Sequence, residues 1–109
     1  MNKVELMGRL TKDIELKKSK SDKEYATFTL AVKRKLDKDK TDFIDCVAFG
    51  NIVKPLADYT EKGNRLIVIG ELNINDFEKD GQKQKSFNIV VNDFYFVDFK
   101  QNIQTEITE

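Results

Sequence analysis

The chain has 109 residues, 39% apolar and 35% charged, with 19 basic and 19 acidic side chains and a formal net charge of zero, which is room for one modest core and not for two. It holds no His and one Cys, so the usual neutral-pH general base, the commonest metal ligand and any internal disulfide are missing, and most hydrolase, zinc and haem chemistry goes with them. No apolar run nears the ~18 residues of a membrane span and no secretory signal opens the chain, so a cytoplasmic protein without membrane contact is expected, and zero net charge at first argues against nucleic acid as well.

That last exclusion weakens once the charges are placed. Residues 1–41 carry twelve Lys/Arg and seven Asp/Glu, while residues 42–109 carry seven and twelve. A folded chain with this asymmetry can present a basic face without a basic total.

In chain order, Val4, Leu6 and Leu10 alternate with Lys3, Glu5, Met7 and Arg9, the period of a strand with one buried face. Lys17–Lys23 is a charged loop or wide hairpin tip. Ala26, Phe28, Leu30 and Val32 alternate with Thr27, Thr29, Ala31 and Lys33 in a second strand, and a third runs from Asp42 to Phe49. A helix is expected over Asn51–Lys62, with Asn51 as N-cap, Pro55 in its first turn or so and Gly63 as the left-handed residue after its end. Its apolar stripe reads Ile52, Leu56 and Tyr59, with Val53 and Ala57 extending it. Strands are expected over Arg65–Phe77 and Ser86–Phe99, joined through an extended loop that carries the Asp80-Gly81 turn signature. Residues 100–109 read as a flexible tail, leaving residues 1–99 as one domain.

Three strands, one helix and two strands is the order of the OB-fold, an all-β Greek-key barrel of five strands. Gly8 and Gly70, each in an apolar–apolar–Gly–charge–Leu run, fit the sharp bends that a small barrel needs.

The third strand holds the most chemical information. Ile44, Cys46 and Ala48 share one face, small and apolar as an interior requires; Phe43, Asp45, Val47 and Phe49 share the other. A carboxylate between two phenyl rings has no place in a sealed core, so this second face meets water. Exposed rings on a barrel face stack unpaired bases, each worth about 1–3 kcal/mol; the competing reading packs them under a loop or a partner subunit. Phe77 repeats the pattern, a ring on the polar parity of Glu71, Asn73 and Asn75. Lys33, Arg34 and Lys35 close the second strand, and Lys79, Lys83 and Lys85 surround the last hairpin, placed to follow a phosphate backbone or simply to solvate loop tips. Cys46 reads as a core residue. No phosphate-cradling glycine loop, metal-ligand spacing or nucleophile–base pair stands out, so neither enzyme activity, cofactor nor metal is expected.

Several blocks resemble the bacterial and phage single-stranded DNA-binding proteins: Asn2-Lys3-Val4, Met7 to Asp13, Ala26 to Val32, Phe43 to Gly50, Tyr59, Lys62-Gly63, Ile69 to Leu72 and Asp80-Gly81. The resemblance spans about residues 1–98. It implies an OB-fold that forms a homotetramer, with a dimer as the other possibility, and that wraps single-stranded DNA without sequence preference. Roles in replication, recombination and repair follow, as do protein partners from those processes. By the same resemblance Phe43, Phe49 and Phe77 occupy base-stacking positions, Leu36 replaces a fourth, and Lys3, Arg9, Lys33, Lys35 and Lys62 hold backbone-contact positions. Asn73 to Asp76 lack the basic residues that commonly precede the third ring, which implies weaker phosphate attraction there. The chain stops at Thr108-Glu109 without the acidic tip of many bacterial members, so it reads either as a truncated chain or as a short phage, plasmid or secondary bacterial form. The alternative is an OB-fold assembly protein, similar to primosomal relatives of the family, that acts mainly by docking replication proteins.

Overall fold

Period-two alternation becomes pleated strand wherever the sequence shows it. The computed structural model describes residues 1–100. Strands β1 (Val4–Leu10), β2 (Lys17–Lys18), β3 (Glu24–Lys33) and β4 (Thr41–Phe49) precede the helix α1 (Val53–Tyr59), and the long strands β5 (Arg65–Lys79) and β6 (Gln82–Phe96) follow. The sheet order is β1-β5-β6-β4-β3-β2, and a second pairing of β1 with β3 closes the five main strands into the OB-fold barrel. Pairing is antiparallel except between β4 and β6, which run parallel at Cys46–Ile89 and Val47–Val90. Among the described residues, the two-residue β2 is the one strand beyond the expected five: Lys17 and Lys18 pair with Tyr25 and Glu24 inside the segment read as loop.

The inward parity forms the core. Leu10, Phe28, Leu30, Cys46, Ala48, Leu66, Val68, Ile89 and Val91 are buried in one cluster, which Val53 and Leu56 of α1 and Ile14 of the β1–β2 segment complete. Each large side chain fully removed from water contributes about 1.5–3 kcal/mol. Gly70 lies at a register irregularity between β5 and β6, and there a Cβ would collide with the Val90 carbonyl oxygen and stand 2.9 Å from Ile89 Cγ2. Only a residue without a side chain lets the two backbones approach this closely. Gly8 lies where β1 passes from pairing with β5 to pairing with β3.

The helix is shorter than its sequence signals. The chain leaves β4 through a 3₁₀ turn, Gly50–Ile52, so Asn51 lies in that turn, and Ile52, with no capping side chain, takes the N-cap position. Pro55 is third in α1, where its missing N–H costs nothing. The later start rotates the buried face onto Val53 and Leu56, and Tyr59 remains 40% exposed with an edge-on contact to Phe96. Helical backbone ends at Tyr59, because Thr60 is extended and its hydroxyl donates back to the Leu56 carbonyl. Gly63, at φ +90°, is therefore not the residue after the helix. Its N–H bonds the Leu10 carbonyl, its carbonyl accepts from Arg9, and so it ties the following turn to β1.

The hairpin loop is also shorter than expected. Asp80 and Gly81 both have positive φ (55° and 78°), as a two-residue type I′ turn demands. β5 and β6 therefore stay paired out to Lys79–Gln82, and from Glu71 outward to Phe87 both strands are exposed on either face, forming an arm beyond the barrel. At the other end β6 stops at Phe96, three residues before the expected strand end. Arg65 holds the chain there: its backbone N–H and Nε both donate to Asp98 Oδ2, at 2.9 and 3.0 Å, and Nη2 donates to Oδ1 at 3.0 Å. Lys100 N–H donates to the Tyr59 carbonyl. The tail expected over 100–109 otherwise lies outside the described residues.

Two predictions follow from this packing. Gly70→Ala forces the β5–β6 crossing apart and costs about 1–3 kcal/mol, read as a lower urea midpoint with the circular dichroism of the folded state unchanged. The Arg65 side chain, then the Arg65 N–H, pull the Asp98 carboxyl down to about 2, below its unfolded value of about 4. The stability this contributes is complete above about pH 4 and is lost as pH falls towards 2. Asp98→Asn therefore melts at lower temperature at pH 7, and its melting curve meets that of the unaltered protein near pH 2; an offset independent of pH would contradict the assignment.

Candidate nucleic-acid interface

The same pleat that fills the core fixes the outer face. Register pairs Tyr25 with Phe49, Thr27 with Val47, Thr29 with Asp45 and Ala31 with Phe43 across β3 and β4, and Arg9 of β1 pairs with Ala31. Paired residues point to the same side, so Arg9, Ala31 and Phe43 form one row and Tyr25 and Phe49 another. Phe43 is 67% and Phe49 57% exposed. Phe43 and Phe49 are six positions apart along β4, a strand distance of about 20 Å.

Between the rings, the outward side chains floor a groove of about 880 Å³. Thr27, Thr29, Asp45 and Val47 lie on its floor side, and Lys12, Asp13 and Glu15 of the β1–β2 segment, Lys17 of β2, Lys62 and Asn88 contribute further lining. The Thr29 hydroxyl donates to Asp45 Oδ1 at 2.8 Å. Asp13 accepts the Lys62 N–H at 2.7 Å and so ties the β1–β2 segment to the turn after α1. Val47, on the outward parity, is nonetheless buried, because the parallel β4–β6 contact brings Val90 beside it. Cys46 points inward as expected, and burial first, the Asp45 charge second, push its thiol up to about 12. It is a protonated core group and not a nucleophile.

The arm continues both faces of the barrel. Through Val47–Val90 the outer face runs onto Asn88, Ser86 and Gln84 of β6 and their partners Asn73, Asn75 and Phe77 of β5. Phe77, 42% exposed, thus shares a face with Phe43 and Phe49, and Lys79 lies on it too. The opposite face carries Leu72, Ile74, Phe87, Lys83 and Lys85, with Lys85 opposite Asp76 and Lys83 opposite Glu78. Two cations grouped with Phe77 in the sequence therefore lie behind it.

The remaining basic residues divide by what already holds them. Arg34 forks onto Asp42 with contacts of 3.1–3.3 Å, and those hydrogen bonds hold the Asp42 carboxyl below its ordinary range. Lys3 pairs with Glu5 at 3.3 Å, and Arg9 is bonded to the Gly63 carbonyl. Lys33 and Lys35 are exposed at and after the end of β3, beside Leu36, which is 99% exposed. Sequence reading missed Lys12 and Lys17, which reach the groove only because the β1–β2 segment folds over it. It also missed Tyr25, whose parity with Thr27 and Thr29 was there to be seen.

A hydroxyl-bearing floor, flanked by exposed rings and rimmed by Lys12, Lys17 and Lys62 together with Asp13 and Glu15, accommodates flat aromatic groups joined by anions. The model of the single-strand binding protein family matches residues 1–97. The chain is 45% identical over 100 residues to a single-stranded DNA-binding protein of Clostridium perfringens, spanning 90% of this chain and 67% of that one. It is 36% identical over 114 residues to a single-stranded DNA-binding protein of Fusobacterium nucleatum, spanning 99% and 74%. Its fold superposes on a Plasmodium falciparum SSB solved in complex with ssDNA with a TM-score of 0.75 at 28% identity, covering 90% of this chain and 96% of the other. The chain belongs to the single-strand binding protein family.

Proposed function

We propose that this protein binds and protects single-stranded DNA by base stacking, with no catalytic step, in replication, recombination and repair. The observation that carries the reading is the placement of three exposed rings, Phe43, Phe49 and Phe77, on one continuous outer face. Bases lie on these rings irrespective of sequence, because every base has a π-face. Lys12, Lys17 and Lys62 at the groove, Lys33 and Lys35 beyond β3, and Lys79 on the arm supply phosphate contacts. Lys3, Arg9 and Arg34 contribute less, because carboxylates or a carbonyl already engage them. Residues 1–99 form the DNA-binding unit, and the site of action is the bacterial cytoplasm; none of the described helices is long and apolar enough to cross a membrane.

The protein acts as a homo-oligomer, a tetramer. Support comes from the outer face of β1, β5 and β6, where Met7, Ile67 and Tyr95 form an apolar row by register, with Met7 and Tyr95 more than half exposed. Light scattering that returns a monomer at micromolar concentration would contradict it. The alternative of an assembly protein acting mainly through protein partners is not favoured: the chain's relatives are single-stranded DNA-binding proteins and its rings are bare.

Anisotropy of a labelled oligo-dT titrated with the protein tests the reading; absence of binding at moderate salt would end it. Phe43→Ala and Phe49→Ala are each expected to weaken binding by about 1–3 kcal/mol with unchanged circular dichroism. Unaltered affinity would make the rings mere packing.

A further inference from the structure

Tyr25 is the one aromatic side chain on the outward parity of β3, where its companions are Thr27, Thr29 and Ala31. Register sets it opposite Phe49 on β4 and opposite Lys17 on β2. Paired residues point to the same side of a sheet, so Lys17, Tyr25 and Phe49 form one row across β2, β3 and β4. At the spacing of neighbouring strands the row is about 10 Å from end to end. The next outward pair, Thr27 with Val47, lines the groove, so the row stands at the groove's end. Tyr25 is half-buried in it, between the exposed Phe49 and the exposed Lys17. Lys18 alternates to the other face and is taken up by Asp22 at 3.7 Å. Lys17 lines the groove and forms no ion pair among the described residues.

A second ring beside a bare one widens the platform on which a base can lie. We propose that Tyr25 is a further base-contacting residue: its ring and that of Phe49 make one platform across β3 and β4, with Lys17 at the outer end for the adjoining phosphate. The proposal deepens the single-stranded DNA reading and rests on it. The competing role is structural, a β-favouring side chain that packs across the strands beside Phe49. The two roles part on the π-face. Valine keeps the strand preference and loses the ring; phenylalanine keeps the ring and loses the phenol. The phenol is also a reporter, because the chain holds no Trp and three Tyr. Tyr59 meets Phe96 edge-on at the end of α1, and Tyr95 lies in the row with Met7 and Ile67 on β1, β5 and β6. Tyr25 is therefore the tyrosine beside the ring-bearing face of β4.

The test follows tyrosine emission on adding oligo-dT and, separately, the anisotropy of a labelled oligo-dT. It compares the unaltered protein, Tyr25→Phe, Tyr25→Val, Phe49→Ala and the Tyr25→Val, Phe49→Ala double variant. Emission of the unaltered protein is expected to fall as oligo-dT saturates it, because a stacked base quenches a phenol. Tyr25→Phe is expected to keep the affinity of the unaltered protein and to lose the quench. Tyr25→Val is expected to weaken oligo-dT binding about fivefold or more, with circular dichroism unchanged. Because one base lies on both rings, the double variant is expected to lose less than the product of the two single losses. A quench that survives Tyr25→Phe, or no quench in an unaltered protein that binds, would overturn the proposal. So would Tyr25→Val binding as tightly as the unaltered protein, or single losses that simply multiply. Should Tyr25→Val not fold, the quench compared between Tyr25→Phe and the unaltered protein still decides. Failure of the unaltered protein to bind oligo-dT would instead strike the single-stranded DNA reading itself.

Discussion

The pleat of β4 sends Cys46 and Ala48 into the barrel and Phe43, Asp45 and Phe49 out of it, and every other feature of the interface depends on that division. The inward residues are small enough for β4 to lie against the barrel interior, where Leu30, Leu66, Val68 and Ile89 supply the bulk. Because the inner face is fully committed to packing, the outer face cannot rotate. The two rings are held about 20 Å apart by strand geometry and not by contacts of their own, so binding them requires little reorganisation of the protein. A one-residue slip in the β3–β4 register would bury Asp45 and expose Cys46, which is why the core enforces the interface.

The arm obeys a different constraint. Beyond Gly70 the strands have no barrel to cover either face, and they stay paired because Asp80 and Gly81 form a turn whose twist matches theirs. Its two faces then differ in chemistry. One carries Phe77 among Asn, Ser and Gln side chains, continuous with the β4 face; the other carries Leu72, Ile74 and Phe87 with lysines facing carboxylates. The arm thus extends the ring-bearing outer face without adding much net charge to it.

How far the sequence revealed this depended on whether the determining contact was local. Alternation along 41–49 and 24–33 placed Phe43, Phe49 and the inward Cys46 directly, and the element order gave the barrel. The helix start was misplaced because Asn51 and Pro55 satisfy local helix rules, whereas the 3₁₀ turn after Gly50 fixes where the helix can dock against the core. The Lys- and Gln-rich hairpin looked like loop because a ribbon exposed on both faces has no apolar period to display. The burial of Val47, the fork of Arg34 on Asp42 and the arrival of Lys12 and Lys17 at the groove all arise from chain segments meeting across the sheet, which no local pattern encodes.

Charge gives the account its central quantitative claim. The zero net charge conceals a basic first third of the chain and an acidic remainder, and the structure spends part of the basic excess internally, on Glu5 and Asp42. Affinity for single-stranded DNA then rests on stacking more than on ion pairing. The direct test is the salt dependence of binding to an oligo-dT of about 10 nucleotides, long enough to cross one barrel face. With at most the six lysines Lys12, Lys17, Lys33, Lys35, Lys62 and Lys79 neutralising phosphates per protomer, log K is expected to fall with log salt at a slope of about −4 or shallower; a slope steeper than about −5, which needs some seven phosphates neutralised, would show that ion pairing dominates and would contradict the account.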